Sequence, residues 1–219
     1  MLKFYLIFIS IILSFVSSAQ RKFEDEIIAF EKSDKISLPA SGGLLLTGSS
    51  TIRLWDNYKK DLHPFNVLNR GFGGSTMQDL LFYFDRIIVP YKPKIMIVYE
   101  GDNDLAAEMP VEKIINDFSS FTEKMKTKLP ETKFAFLSVK PTPGRSHLLP
   151  EQITLNKKIK TLCYKTSNCT FLDIFTPLLD EQNMPRIELF KEDKIHLNPM
   201  GYQICAQIII NYLKEQNEK

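Results

Sequence analysis

Long apolar runs, basic blocks and clustered cysteines are scarce in this chain of 219 residues, and each scarcity argues against a class of protein. After residue 19 no apolar run reaches the roughly 20 residues that cross a bilayer, so we expect no stable membrane insertion of that part. The formal net charge is only +2 and no basic stripe stands out, which argues against nucleic acid as a partner. The three histidines and three cysteines lack the spacing of a metal site. We therefore expect neither metal nor cofactor.

The first 19 residues have the composition of a signal peptide. Lys3 gives a positive start, residues 4–16 are almost wholly apolar, and Ser17-Ser18-Ala19 is a small-residue cleavage site. A membrane anchor is the competing interpretation, but the apolar run is short for a span. No cysteine stands at the cleavage site for lipid attachment. We expect cleavage before Gln20, export to the periplasm or the extracellular space, and a single domain over residues 20–219.

The three cysteines have separate interpretations. In an oxidising compartment Cys163 and Cys169 could close a short loop as a disulfide, and the sequence does not decide whether they do. Cys205 lies in a predicted helix and is expected to be a small buried hydrophobe. A catalytic cysteine is disfavoured because none of the three sits in a turn beside a histidine.

Short apolar segments alternate with helical patterns through the rest of the chain. Segments that are apolar on both faces predict strands of a covered parallel sheet, at residues 43–47, 65–68, 95–99, 134–139 and 170–172. Apolar stripes at helical spacing predict helices at residues 24–30, 77–88, 111–129, 152–164 and 199–213. The alternation predicts a doubly wound α/β fold, whose ligands bind at the carboxyl ends of the strands.

Ser50 follows the first strand, at the turn into a helix. A hydroxyl at such a turn is exposed, and the positive end of the helix favours an oxyanion there. The competing interpretation is that Ser49 or Ser50 simply caps the helix. Ser50 becomes a candidate nucleophile because a histidine base also occurs: Asp193 stands three residues before His196, close enough for the acid to hold one ring nitrogen while the other faces a serine.

Two further polar turns follow the second and third strands. Residues 69–76 are rich in glycine, which lets backbone N–H groups converge on a ligand. A dinucleotide fingerprint is the rival, but its spacing is missing. Residues 100–104 include Asn103, whose amide can donate to a developing oxyanion. Calcium binding is disfavoured because the acids there do not fit the twelve-residue loop. Plain structural turns remain the alternative for both.

Four turns in this order resemble the SGNH hydrolases, also called the GDSL esterase and lipase family. They are Gly48-Ser49-Ser50, residues 71–76, residues 101–104, and residues 193–196. The resemblance implies Ser50 as nucleophile, His196 as base and Asp193 as its orienting acid. It implies an oxyanion hole formed by the backbone N–H groups of Ser50 and Gly74 and the Asn103 amide. It also implies a flavodoxin-like, three-layer α/β/α fold with a five-stranded parallel sheet.

One position departs from the family pattern, because Ser49 stands where the family usually has aspartate. The Gly-x-Ser-x-Gly elbow of α/β-hydrolases is absent, which disfavours that neighbouring family. The resemblance implies an esterase that removes a small acyl group, such as acetyl, from a sugar or lipid. The alternatives are a lysophospholipase or thioesterase for longer chains, and a catalytically silent carbohydrate- or lipid-binding module. Arg145 and His147 are candidate substrate contacts.

Overall fold

The computed structural model describes residues 21–217. The predicted signal peptide, residues 1–19, lies outside the described residues, so its cleavage stays a prediction. The strands are β1 (Leu44–Gly48), β2 (Val67–Gly71), β3 (Ile95–Tyr99), β4 (Lys133–Leu137) and β5 (Cys169–Leu172). The helices are α1 (Glu24–Ile36), α2 (Ser50–Arg53), α3 (Tyr58–Asp61), α4 (Met77–Ile87), α5 (Asp102–Ala106), α6 (Val111–Lys128), α7 (Leu149–Tyr164) and α8 (Pro199–Asn217). Short 3₁₀ turns lie at Val89–Tyr91, Pro143–Leu148, Thr176–Leu178 and Ile187–Leu189.

The five strands form one parallel sheet in the order β2-β1-β3-β4-β5. This is the flavodoxin-like strand order, and it confirms the predicted fold class. In the register of the central strands, Gly48 at the end of β1 is level with Gly71 of β2 and Tyr99 of β3. The turns that follow these three strands therefore meet at one edge of the sheet.

Alternate side chains of each strand enter two separate cores, one on each face of the sheet. Leu45 and Val98 face the first core, which the apolar stripes of α1, α4, α6 and α7 complete. Leu46 and Ile97 face the second core, which α2 and α8 cover. Both faces of the central strands are buried, as the continuous apolar runs predict for a covered parallel sheet. The result is a three-layer arrangement with helices on both sides.

The second strand begins and ends later than residues 65–68, the range that its apolar run predicts. It runs from Val67 to Gly71 and so includes Arg70, which is buried. The Arg70 guanidinium donates to Asp34 of α1 and, at 2.6 Å, to the Tyr91 hydroxyl. A buried charge is tolerated when it is paired in this way, and the partners lie far away in the chain.

The fourth strand ends at Leu137, before the expected residue 139. The backbone N–H of Val139 donates to Asn156 Oδ1 at 2.8 Å, and Asn156 Nδ2 donates back to the Val139 carbonyl at 2.9 Å. A side chain of α7 therefore replaces the neighbouring strand as the hydrogen-bonding partner at this point.

The first helix is longer than predicted, because Glu31 and Asp34 in its polar second half pair with Arg86 and Arg70.

The three cysteines lie in α7, β5 and α8. Cys163, near the end of α7, and Cys169, at the start of β5, are free thiols whose Sγ atoms are 2.8 Å apart. Their oxidation to a disulfide stays a prediction. Cys205 is buried in α8. Between residues 21 and 217 no helix combines the length and apolar character needed to cross a bilayer.

Candidate active site

The turn between β1 and α2 presents the Ser50 hydroxyl at the carboxyl edge of the sheet. Gly48 ends β1 with φ +124°, and a Cβ atom there would lie 2.1 Å from the Tyr99 carbonyl oxygen, so only glycine fits. The backbone N–H of Ser49 then donates to the same oxygen at 3.0 Å. Ser49 occupies the helix N-cap position, but its side chain makes no capping hydrogen bond. Ser49 is buried, and Ser50 is the serine whose hydroxyl meets another functional side chain.

That side chain is the imidazole of His196. Its Nε2 lies 3.0 Å from Ser50 Oγ, and its Nδ1 lies 2.7 Å from Asp193 Oδ2. A carboxylate on one ring nitrogen and a hydroxyl on the other is the arrangement in which a neutral imidazole can take the hydroxyl proton. The structure thus brings together the three residues that the sequence nominates as nucleophile, base and orienting acid.

A tight turn fixes the acid beside the histidine. Asp193 Oδ1 accepts hydrogen bonds from the backbone N–H groups of Ile195 at 2.8 Å and His196 at 2.9 Å. Lys194, between Asp193 and Ile195, has φ +58°. This left-handed residue bends the chain back so that Asp193 Oδ2 reaches the imidazole ring. Desolvation acts to raise the pKa of Asp193. Hydrogen bonds from His196 and Ile195 outweigh it and hold this pKa well below its usual range. Asp193 is therefore an anion wherever the enzyme is folded near neutral pH.

Two backbone N–H groups, those of Ser50 and Gly74, have no hydrogen-bond partner that the structure shows among the described residues. Ser50 is the first residue of α2, so its N–H has no partner within the helix. Gly74 has φ +73°, and within residues 21–217 its N–H makes no hydrogen bond. Thr76, two residues on, caps α4 together with Asp79 and so ends the glycine turn at a fixed point. These are the two N–H groups that the family resemblance nominates.

The third nominated donor, the Asn103 amide, is held at both of its ends. Asn103 Nδ2 donates to the Ser75 carbonyl at 3.0 Å, and Oδ1 accepts from two nitrogens of Arg145 at 3.3 Å each. An asparagine amide carries two donor hydrogens. One is used by Ser75, which leaves the second available to a bound oxygen.

The two candidate substrate contacts differ in their surroundings. Arg145 is mostly buried, and its guanidinium faces Asn103 and the Asp102 carboxylate rather than open solvent. His147 is exposed, and its imidazole has no hydrogen-bond partner that the structure shows within the described part of the chain. Neither side chain forms a hydrogen bond or ion pair with Ser50 or His196 among the described residues. Their role in substrate binding stays a prediction.

A buried ion pair beneath Asn103 was not predicted from the sequence. Lys140, just after β4, lies 2.6 Å from Asp102 Oδ2, and Arg145 lies 2.9 Å from Asp102 Oδ1. Complete burial acts to raise the pKa of Asp102, but the positive charges of Lys140 and Arg145 lower it below the usual value. The only signal in the sequence was a lysine directly after an apolar strand, and this does not identify Asp102 as its partner.

Two more acids near the site were also missed. Glu100 is buried, and burial together with the charge of Asp104 raises its pKa well above the usual value. Its Oε1 accepts a hydrogen bond from the Ser75 hydroxyl at 2.7 Å. Glu26 of α1 accepts from the Gly73 N–H at 3.2 Å and pairs with Arg53 of α2 at 2.9 Å. The first helix is thereby attached to the turn that holds Gly74.

Comparison with known proteins adds the family. A family model described as the GDSL-like Lipase/Acylhydrolase family matches residues 42–204, which include all the residues of the candidate site. The chain belongs to the GDSL-like lipase/acylhydrolase family. The family confirms the resemblance seen in the sequence, and it identifies the chain as a hydrolase that acts on ester bonds. No curated protein matches the chain.

Solved structures share the fold of this GDSL-like hydrolase at low sequence identity. A protein from Streptococcus pneumonia, described as a candidate platelet activating factor, has TM-score 0.78 and 20% identity, covering 87% of this chain and 92% of its own. A GDSL-like lipase from Bacteroides thetaiotaomicron has TM-score 0.74 and 17% identity, with 87% and 99% covered. A catalytic mutant of Axe2, an acetylxylan esterase from Geobacillus stearothermophilus, has TM-score 0.65 and 14% identity, with 79% and 94% covered.

The candidate site differs from a metal centre in composition. Within residues 21–217 no group of three or more histidine, cysteine, aspartate or glutamate side chains is arranged to hold a metal ion. The groups that are in contact are the Ser50 hydroxyl, the His196 imidazole and the Asp193 carboxylate. These are the functional groups of acyl transfer through a serine.

Proposed function

We propose that this GDSL-like hydrolase is an exported serine esterase that cleaves carboxylic esters through an acyl-Ser50 intermediate. The observation that carries the proposal is the line of contacts from Ser50 Oγ to His196 Nε2 at 3.0 Å and from His196 Nδ1 to Asp193 at 2.7 Å. No other serine hydroxyl of the described residues contacts a histidine ring nitrogen.

The first half of the reaction follows from these contacts. His196 Nε2 takes the proton of Ser50 as Oγ bonds to the carbonyl carbon of the ester, and the carbonyl oxygen becomes an oxyanion. The N–H groups of Ser50 and Gly74 and the free N–H of Asn103 donate to that oxygen. The imidazolium then gives its proton to the leaving alkoxide as the ester C–O bond breaks. The alcohol departs and the acyl group stays on Ser50.

Water completes the cycle in the second half. It attacks the acyl carbon while His196 Nε2 accepts its proton, and a second oxyanion forms in the same hole. Collapse of that intermediate breaks the bond to Ser50 Oγ, which regains a proton from His196. The carboxylic acid leaves and the enzyme returns to its starting state.

We propose a small acyl group, such as acetyl, on a sugar or lipid as the substrate. The support is the fold shared with the acetylxylan esterase Axe2, together with the family. A series of p-nitrophenyl esters from acetate to octanoate, followed by acetylated xylan and other acetylated glycans, tests the proposal. Preference for acetate supports it, whereas a preference for long chains would favour the lysophospholipase or thioesterase alternative.

The serine mechanism is tested by paired substitutions. Ser50→Ala should abolish both esterase activity and labelling by a fluorophosphonate, while Ser49→Ala provides the matched control one residue away. Loss of labelling in Ser49→Ala but not in Ser50→Ala would move the nucleophile by one residue. A folded wild-type protein that shows no turnover and no label would favour the silent binding module.

Export and signal-peptide cleavage are tested separately from the esterase activity. The apolar run and the Ser17-Ser18-Ala19 site support cleavage before Gln20. N-terminal mass spectrometry of protein recovered outside the cytoplasm should find Gln20 as the first residue. An intact Met1 on a membrane-bound product would contradict the proposal.

A further inference from the structure

A cluster of one acid and two cations lies behind the oxyanion donor Asn103, and the acyl-transfer steps do not use it directly. The Lys140 side chain is 1% exposed and the Asp102 side chain 5% exposed. Taking such charges out of water is costly unless they are well paired. Arg145 is the second cation on Asp102, and its side chain is 18% exposed. The cluster thus leaves one positive charge unmatched, at the end that faces Asn103.

Arg145 decides which way the Asn103 amide points. Two nitrogens of the guanidinium lie 3.3 Å from Asn103 Oδ1, and one of them also donates to the Asp102 carbonyl at 3.2 Å. Arginine has donors and no acceptor, so only the oxygen end of an amide can face it favourably. The flipped amide would set its NH₂ group against the guanidinium and its oxygen against the Ser75 carbonyl. The observed orientation is therefore the one that both neighbours select, and it directs the NH₂ group toward the Ser75 carbonyl, next to Gly74.

The 3₁₀ turn Pro143–Leu148, which contains Arg145, also contacts the loop of residues 193–196 that carries the acid and the base. The N–H of Gly144, the residue before Arg145, donates to the Lys194 carbonyl at 2.8 Å. A Cβ atom on Gly144 would lie 3.1 Å from both the Lys194 oxygen and the Ile195 side chain. Consecutive residues thus contact the two functional halves of the site, the Asp193–His196 turn and the oxyanion donor.

We propose that Arg145 is a positioning residue of the esterase, which acts through Asn103. Held by the Asp102 carboxylate, which Lys140 also pairs with, Arg145 fixes the amide with its free N–H toward the developing oxyanion and polarises that N–H from the carbonyl side. The inference rests on the proposed serine mechanism and assigns to Arg145 a role other than substrate contact. An interaction that matters only when charge develops on the oxyanion affects kcat more than KM.

The test compares Arg145→Ala and Arg145→Lys with Ser146→Ala, an exposed neighbour in the same turn, as the matched control. The measurements are kcat and KM on p-nitrophenyl acetate, scaled to active sites counted with a fluorophosphonate, together with Tm. Arg145→Ala should lower kcat roughly 10- to 100-fold, a part of the loss expected for a missing oxyanion donor, with KM within about threefold. Arg145→Lys should fall between, because lysine keeps the charge but not the two-nitrogen fork. Ser146→Ala should match the wild type.

A double-mutant cycle with Asn103→Ala gives the result that a merely structural role would not produce. If Arg145 acts through Asn103, Arg145→Ala should change kcat less than about threefold in the Asn103→Ala background. Millimolar guanidinium should restore part of the kcat of Arg145→Ala and none of that of the double variant. Three results would each overturn the proposal. They are a kcat loss in the double variant equal to the product of the two single losses, an Arg145→Ala variant in which only KM changes, and an Asn103→Ala variant with wild-type kcat.

The outcome also separates this inference from the mechanism on which it rests. An active Ser50→Ala enzyme would refute the serine mechanism itself. An inactive Ser50→Ala enzyme beside an Arg145→Ala enzyme with wild-type kcat would refute only the role of Arg145. If Arg145→Ala does not fold, Arg145→Lys decides: wild-type kcat in that variant would show that the fork is not required and would overturn the proposal.

Discussion

Ser50 and His196 are 146 residues apart in the chain, yet Oγ of the serine and Nε2 of the histidine lie 3.0 Å from each other. The fold brings them together because Ser50 follows a central strand while His196 lies in the loop that leads into α8. The helix packs on the same face of the sheet as α2, and the Tyr202 hydroxyl donates to the Thr51 carbonyl at 2.9 Å. The helix that follows His196 is thus hydrogen-bonded to the helix that begins at Ser50.

Substitutions of the base and of its acid should differ in severity. His196→Ala removes the proton acceptor and should lower kcat by roughly 10⁴- to 10⁶-fold. Asp193→Ala should cost less, because the acid orients the ring and stabilises its charge but takes no proton. Steady-state kinetics on p-nitrophenyl acetate, with Tm recorded for each variant, make the comparison. Equal activity of His196→Ala and the wild type would exclude this histidine as the base.

Asp193→Asn is the control for the shape of the turn. The asparagine oxygen can still accept from the N–H groups of Ile195 and His196, so the backbone should keep its path. A loss of kcat in this variant then reports the missing carboxylate, both its charge and its hold on the Nδ1–H tautomer of the imidazole. If Asp193→Asn and Asp193→Ala both keep wild-type kcat, the acid has no part in the mechanism.

Activity should depend on pH through the histidine and not through its acid. The pKa of Asp193 is held well below its usual range, so this carboxylate stays charged as the solution is made mildly acidic. An imidazolium at His196 cannot take the proton of Ser50, so kcat/KM should fall toward acid while Asp193 keeps its charge. A pH profile of kcat/KM measures this loss of activity toward acid. A flat profile, with chemistry shown to be rate-limiting by an acyl-enzyme burst, would contradict histidine base catalysis.

Asn103 should contribute to the transition state more than to substrate binding. The charge on the substrate oxygen develops only as the tetrahedral intermediate forms, and a donor aimed at it acts at that moment. Asn103→Ala should lower kcat by roughly 10²- to 10³-fold, about 3–4 kcal/mol, with little change in KM where that constant reports binding. Asn103→Asp should be at least as harmful, since it places a negative charge beside the oxyanion and beside Asp102.

A purely structural role of Asn103 predicts a different result. If the side chain only supports the turn, Asn103→Ala should lower Tm and the yield of soluble protein while the kcat of each labelled active site stays unchanged. Measuring kcat per labelled site together with Tm separates the two roles.

The sequence was sufficient for those parts of the fold that local patterns determine. The third strand begins and ends where its apolar run does, at Ile95 and Tyr99, because both of its faces enter cores. The flavodoxin-like fold class and the family, which the resemblance implied, were likewise predicted and are confirmed. The residues of the candidate site could be nominated because each lies in a turn directly after a strand or before a helix. Their catalytic roles stay predictions.

What the sequence did not reveal depends on partners far away in the chain. The strand that contains Arg70 looks too polar for a buried element until Asp34, 36 residues earlier, and Tyr91, 21 residues later, are seen to pair with it. Lys140 and Asp102 are 38 residues apart and read as ordinary surface charges when each is considered alone. Arg145 was nominated as a substrate contact because only its place in a loop was visible.

Glu100 should make the protein less stable as the pH rises. It is buried beneath the glycine turn, and its Oε2 has no hydrogen-bond partner among the described residues. Burial, then the charge of Asp104, raises its pKa, and burial raises the pKa of Asp104 to about 6. A carboxyl with a raised pKa binds its proton more tightly in the folded state than in the unfolded state. Its favourable contribution is therefore complete at low pH and is lost as the pH rises from about 4 through the folded pKa.

Glu100→Gln tests this origin of the pH dependence. The substitution keeps an oxygen that can accept from the Ser75 hydroxyl and removes the group that must give up a buried proton. The free energy of unfolding should decline less between pH 5 and pH 8 in Glu100→Gln than in the wild type, as urea titrations at each pH would measure, with a residual decline left by Asp104. Glu123→Gln, at an exposed position on α6, should keep the wild-type slope. An equal slope in all three proteins would show that Glu100 carries the same charge in the folded and unfolded states, and the buried carboxyl would then have no part in the pH dependence.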